Sequence, residues 1–379
     1  MNSRILALGL VTASASLAAC SGAEDTVETV AAAPSFTYPD GSPHPVTSWG
    51  DPDLQGVWPI MHLLSTSLQR NPDYGDRRLL TDDEYAATLS GRGSQAARDA
   101  AYHQMVASNQ LGMGGWAEST LRSAQTRLTS LISYPPDGRF PALTARGEEL
   151  IPEFGSSWST ERNFQPFDSP QDDFDTWDRC ITRGMPSSML PFNYNNGIRI
   201  IQSPGYVVID LEMIHESRLV PIDRAPLAPE IRQWMGESRG HWEGATLVVE
   251  TTNYNGEVGM TNAGIPGSPG RDTPSTTGMR TVERFTRVGA DQIDYELTIE
   301  DPEVLTDRWT VSYPMFLDTE YAFFEYACHE DNTAIRNFIE TSRYERANPE
   351  EFAQPAGGRG GGGRGGRGGP PAGGAGAGQ

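Results

Sequence analysis

Between Asn195 and Cys328 apolar residues recur at every second position, and that period restricts the stretch to β-strands. Ile293, Tyr295, Leu297 and Ile299 alternate with Gln292, Asp294, Glu296, Thr298 and Glu300. Successive side chains of a strand point to opposite faces, so the pattern describes one buried and one solvated face. Val207, Ile209, Leu211 and Met213 alternate likewise. Further strands are expected at Gly197–Gln202, Arg218–Ile222, Thr246–Tyr254, Thr281–Arg287, Trp309–Tyr313 and Phe323–Cys328. Pro204-Gly205 and Gly289-Ala290-Asp291 supply turns. Short connections give antiparallel neighbours, and eight or more strands close most economically as a barrel, which leaves no exposed edge. The expected fold is mainly β: an antiparallel up-and-down β-barrel over residues 176–346, with a β-sandwich as the alternative.

Residues 48–175 read as helical and loop segments around a first strand. Asp53-Leu-Gln-Gly-Val-Trp58 carries the Gly-x-Trp pattern that resembles the opening strand of lipocalin-like barrels, where the Trp plugs one end. Thr81-Asp-Asp-Glu84 is a capping box, which predicts a helix to about Ser90. Ser94 to Ser108 resumes the helical pattern, Gly112 to Gly115 breaks it, and Ala145–Glu149 suits a short helix. Within the barrel region Pro229–Met235 reads as helical, with Pro in the first turn. Gly256–Gly278 reads as a lid or a disordered loop.

The two ends bear on location. Met1 to Cys20 has a basic start at Arg4, a short apolar run and small residues before Cys20, the pattern of an export signal. Leu17-Ala-Ala-Cys20 resembles a bacterial lipobox, which implies lipidation of Cys20 and anchoring in the cell envelope, periplasm or outer membrane. Residues 21–47 then form a flexible tether, and 347–379 a disordered Gly/Arg-rich tail. An oxidising compartment makes a disulfide between Cys180 and Cys328 the expected fate of the other two cysteines.

Composition excludes several chemistries. All 29 basic residues are Arg, so lysine Schiff bases and a Walker A phosphate loop are ruled out. A net charge of −21 opposes nucleic acid and anionic membrane surfaces. No His-x-His, His-Glu-x-x-His or Cys-x-x-Cys spacing is present, so no metal is expected and no cofactor is indicated. Gly236-Glu-Ser-Arg-Gly240 spells a nucleophile elbow, but it precedes a strand instead of following one, which argues against Ser238 as a nucleophile.

The remaining candidates are acid/base groups and ligand holders. His215-Glu216 and His329-Glu330 lie near strand ends, where a His beside a carboxylate can exchange protons near neutral pH. His215 shares the parity of Val207 to Met213, which places it on their face if the strand continues. Glu250 shares the parity of Val248 and Thr246; inside a barrel its pKa would rise, outside it would be solvated. Arg232 and Arg239 offer paired hydrogen bonds to an anionic group, and Trp234, Trp242 and Tyr326 an apolar or sugar-stacking surface.

The blocks Asp178–Pro186, Pro204–Ile209, Glu212–Glu216, Ile231–Trp234, Ser238–Gly244, Thr246–Asn255, Glu283–Thr286 and Glu325–Glu330 resemble a large uncharacterised family of exported bacterial proteins. The resemblance runs from about Asp53 to Arg343 and implies export and domain extent, with no activity attached. Two functions follow as expectations. One is an acid/base enzyme acting on a small organic or glycan-derived substrate. The other is a non-catalytic lipoprotein that binds an apolar or aromatic small molecule.

Overall fold

The two-residue period becomes antiparallel strands arranged in two sheets. β1 (Gly56–Val57), β3 (Ile198–Ser203), β4 (Tyr206–Leu211) and β5 (Glu216–Pro221) form a four-stranded sheet in the order β1-β3-β4-β5. β2 (Ile132–Tyr134), β6 (Glu237–Glu243), β7 (Thr246–Thr252), β8 (Arg280–Gly289), β9 (Gln292–Glu300) and β10 (Trp309–Phe316) form a six-stranded sheet in the order β2-β10-β9-β8-β7-β6. The computed structural model describes residues 35–91, 126–157, 166–261, 265–269 and 272–352. The export signal with Cys20, the expected tether up to residue 34, the helix expected over Ser94–Ser108, the glycines at 112–115 and residues 353–379 of the expected tail lie outside them. Residues 35–47 of the tether instead carry bridges (Thr37 with Pro43, Val46 with Pro52), and Pro349–Phe352 of the tail forms a short helix.

The N-terminal region contributes directly to both sheets. β1 pairs with β3, and β2 pairs with β10, so each sheet takes an edge strand from upstream. Trp58 is fully buried and donates its indole N–H to the Leu54 carbonyl, 3.0 Å away. Backbone contacts beyond the ladders, where chain from one sheet meets chain from the other, include a parallel bridge between Ile222 and Gly240, Asp223 N–H donating to Gly240 O at 2.8 Å, and Asp318 N–H donating to Val57 O at 3.0 Å.

Alternation settles which face is inside. On β9, Ile293, Tyr295, Leu297 and Ile299 are buried at 0–1% exposure, while Asp294 and Glu296 are exposed. Their partners Phe285 on β8 and Val311 and Tyr313 on β10 share the buried face. Ile198, Ile200, Val207, Ile209 and Val220 of the four-stranded sheet join the same core. Burial at about 25 cal/mol per Å² of apolar surface makes this shared core the main stabilising contribution.

The helices follow local signals. α1 (Asp82–Gly91) begins where the capping box predicts: Thr81 N–H donates to Glu84 Oε2 at 2.8 Å, and Glu84 N–H to Thr81 Oγ1 at 3.3 Å. α2 (Ala145–Leu150) is capped by Thr144, whose hydroxyl accepts Gly147 N–H. α3 (Ala334–Ala347) was not expected from the sequence. Its Ile335 and Ile339 pack with Phe167 and Phe174, and the Ser342 hydroxyl accepts Phe167 N–H at 2.8 Å.

Three expectations are corrected. Pro229–Met235 forms turns, with Gln233 bridged to Tyr254, because the segment is shorter than a self-sustaining helix and its ends are held by other groups. Glu237 accepts Leu227 N–H at 2.9 Å, and the Asn253 amide donates to Ala228 O at 3.3 Å. In the Gly256–Gly278 stretch the described residues are packed: Met260 and Ile265 join the main core, and Thr261 bridges Thr273. Phe323–Cys328 forms no strand. Its N-terminal part is tied down by one carboxylate instead. Glu212, 1% exposed, accepts Gly197 N–H (2.8 Å), Phe324 N–H (2.8 Å), the Asn195 amide (3.1 Å) and the Tyr321 hydroxyl (2.6 Å).

Candidate functional site

Three distant sequence blocks meet at a disulfide between Cys180 and Cys328, whose Cα atoms are 5.7 Å apart across 148 positions of chain. Beside it Trp177, Phe192, Met213 and Ile214 form a small buried cluster, with Tyr194, Tyr326 and Cys328 against it. Arg183 is 2% exposed, and its guanidinium lies 5.1 Å from the Phe192 ring and 5.5 Å from Trp177. It donates to the Leu190 carbonyl at 2.9 Å. Burial lowers its pKa to about 10, which leaves it cationic at neutral pH. Burial, reinforced by Tyr326, raises the Tyr194 phenol.

Both His-Glu pairs adjoin this cluster in sequence, yet neither forms an acid/base couple. The parity that places His215 on the inner face fails because β4 ends at Leu211. A 3-10 turn over Met213–His215 follows, with Ile214 and His215 at φ 61° and 46°, and it leaves His215 exposed. Glu216 opens β5 half-buried and accepts the Thr182 hydroxyl at 2.6 Å. Burial raises its pKa, and the Thr182 bond opposes the rise. His329 and Glu330 are exposed. Among the described residues, neither His215 nor His329 forms an ion pair with a carboxylate. A His–carboxylate pair within ion-pair distance among the described residues is His241 Nε2 with Glu243 Oε1, 3.3 Å, on β6.

An unexpected carboxylate pair lies on the loop leading to the disulfide. Asp175 Oδ1 accepts Asp178 N–H at 2.6 Å, and Asp178 accepts both the Ser157 hydroxyl (2.6 Å) and Ser157 N–H (2.9 Å). Burial, then the neighbouring Asp178 charge, push the Asp175 carboxyl well above the ordinary range. A carboxyl raised by folding stabilises fully below its unfolded pKa, near about 4, and that stability is lost as pH rises through the folded value. Asp175→Asn is therefore expected to flatten the decline between acid and neutral pH and to be more stable than the parent at mildly alkaline pH. Chemical denaturation across that range checks it. A parent whose stability rises over the same interval, with no gain in the variant, would refute the assignment.

The other candidates stand apart from the disulfide. Glu250 pairs with Arg280 at 3.0 Å, half-exposed on the outer face of the six-stranded sheet. Arg232 donates to the carbonyls of Tyr254 (3.3 Å) and Thr277 (3.2 Å). Arg239 donates to Ala225 O at 2.9 Å and pairs with Glu237. Trp234 is half-buried, and Trp242 packs against the main core.

Between the sheets, where an enclosed pocket is expected, large side chains of both sheets are buried in one core. Trp58, Trp309, Tyr254, Tyr295 and Phe285 occupy it, around a buried ion pair. Arg218 of β5 donates to Glu283 of β8 through Nη1 (3.0 Å to Oε1) and through Nη2 to Oε2. Nη2 also reaches Ser238 Oγ at 3.2 Å and Thr251 Oγ1 at 3.4 Å, and Tyr295 OH donates to Glu283 Oε1 at 2.8 Å. Ser238 thus lies within a strand, inside this network.

Open space lies on the outer face of the six-stranded sheet, in two adjoining depressions of about 370 and 510 Å³. Both are lined by Arg284 and Glu296, which the register places side by side on β8 and β9. Arg78, Asp294 and Ser312 extend the lining of the first; Thr298, Glu300, Arg308, Thr310 and Tyr134 extend the second. Arg284 Nη2 donates to Glu243 at 2.8 Å, while the Glu296 side chain is attracted by the Arg78 cation and makes no hydrogen bond among the described residues. Arg78 anchors one end through Ser130 O (2.7 Å) and Ile132 O (3.1 Å). Alternation along β8 to β10 implied a polar outer face; which part of it is concave needs the curvature of the sheet, so reading single strands missed it. No family model, curated protein or solved structure matches this chain.

Proposed function

We propose that this chain is an exported, lipid-anchored binding protein that holds a small polar ligand on the outer face of its six-stranded sheet and does not turn it over. The carrying observation is the pair of depressions that share Arg284 and Glu296. They gather donors and acceptors of both signs, as recognition of a polar molecule requires, and neither is lined by a histidine or cysteine. The acid/base groups favoured by the sequence are dispersed: His215 and His329 are exposed, and Glu250 is engaged by Arg280. An apolar ligand in a lumen is disfavoured by the large side chains buried together between the sheets. The bridge at Ile222–Gly240 and the Asp318–Val57 hydrogen bond support a flattened barrel as the form of the scaffold. Export and anchoring rest on the signal-like residues up to Cys20.

Native mass spectrometry of the chain as purified tests the site. A retained small molecule is expected, released on denaturation and absent from the Arg284→Gln, Glu296→Gln double variant. Both positions are on the surface of the sheet, so the variant is expected to fold. Equal retention by parent and double variant would overturn the site.

A further inference from the structure

We infer that the ligand of this face is a neutral, extended oligosaccharide lying along β9. The inference rests on the outer face being the binding site, and it goes further by naming the ligand class and its orientation. Three observations carry it: shape, charge and open hydrogen-bonding capacity. The depressions succeed one another along the strand direction, with Asp294 and Pro314 at one end, Arg284 and Glu296 at the shared waist, and Glu300 and Thr310 at the other end. From Asp294 to Glu300 the strand rises about 20 Å at roughly 3.3 Å per residue. That suits a chain rather than a single ring.

The charges balance. Arg78, Arg284 and Arg308 share the lining with Asp294, Glu296 and Glu300, and Arg284 and Glu300 are further paired with Glu243 and Arg280, so an ion of either sign would meet like charges as well as opposite ones. A sugar hydroxyl both donates and accepts, and it can satisfy a guanidinium and a carboxylate in turn. The hydroxyl pairs Ser133–Ser312 (2.8 Å) and Thr298–Thr310 (2.9 Å) add capacity between them, since a paired hydroxyl keeps a lone pair or a proton to offer. Glu296 contributes acceptor positions that no described residue occupies. A polyanion would also be repelled by the net charge of −21. A peptide strand pairs with sheet edges, whereas this groove lies on a sheet face.

Calorimetry of the chain with neutral glucose, mannose and N-acetylglucosamine oligomers, from disaccharide to hexasaccharide, tests the inference. Affinity is expected to rise about tenfold or more between disaccharide and tetrasaccharide and then level off. Glu296→Gln should weaken every length, and Asp294→Asn or Glu300→Gln only the longer oligomers. Affinity independent of length overturns the extended mode, and binding confined to uronic-acid oligomers or to peptides overturns the neutral-saccharide assignment. If no saccharide binds while a co-purified ligand is still lost from the Arg284→Gln, Glu296→Gln variant, the saccharide falls and the site stands. Saccharide binding that Glu296→Gln leaves unchanged overturns both.

Discussion

Arg218→Met is expected to lower the free energy of unfolding by about 3–5 kcal/mol, the usual cost of leaving one partner of a buried ion pair behind. Glu283 has no exposed surface, and Arg218 supplies two of its three hydrogen bonds among the described residues. After the substitution the Tyr295 hydroxyl alone remains on Glu283 among the described residues, while Ser238 and Thr251 lose the guanidinium and keep their mutual bond of 2.9 Å. The paired replacement Arg218→Met with Glu283→Leu removes the stranded charge and is expected to recover most of the loss. Guanidinium unfolding of the four proteins of this double-mutant cycle gives the coupling directly. A single-variant loss below about 1 kcal/mol, the range of exposed pairs, would mean that water reaches the site in solution. The pair joins β5 to β8, strands of different sheets, so its geometry also fixes how the two sheets face each other.

The repeating features of the fold were legible in the sequence, and the features that depend on where the chain turns were not. Alternation in Gln292–Glu300 gave the buried face of β9 because a strand has one period and one choice of inside. The same logic failed at His215, since a single 3-10 turn after Leu211 cancels the parity on which it depended. The expectation for Phe323–Cys328 failed because composition suits a strand whether or not a partner edge exists, and here the Glu212 carboxylate supplies the backbone contact. Ile335, Phe338, Ile339 and Ser342 carry the spacing of a helix face, so α3 was readable but overlooked. For the candidate site, the outward parity of Arg284 and Glu296 was available from their strands. Their common depression was not, because it depends on cross-strand register over β8, β9 and β10.

Replacing Cys180 and Cys328 together by Ser is expected to cost up to about 5 kcal/mol, the chain-entropy value for a loop of this length, within the roughly 2–5 kcal/mol seen for native disulfides. The link spans 148 positions, so the unfolded chain gains much freedom when it is removed. The folded state should loosen unevenly as well. The segment leading from β10 to Cys328 forms no strand; it is held by the disulfide, by the Glu212 bonds, by the Asp318–Val57 hydrogen bond, by Arg199 over the Phe323 ring and by contacts of Tyr326 with the Trp177 cluster. Without the disulfide, the Phe324 amide should exchange hydrogen sooner than the β8–β9 ladder amides, which open only with the whole fold. Uniform acceleration across both would mean that the link acts through the unfolded chain alone. Unchanged stability and unchanged exchange would mean that Glu212 and the aromatic cluster hold this corner unaided. The expected outcome lies between these two: a global loss from the long loop, with a larger local loss near Cys328, where a segment outside the sheets is left to side-chain ties such as those of Glu212.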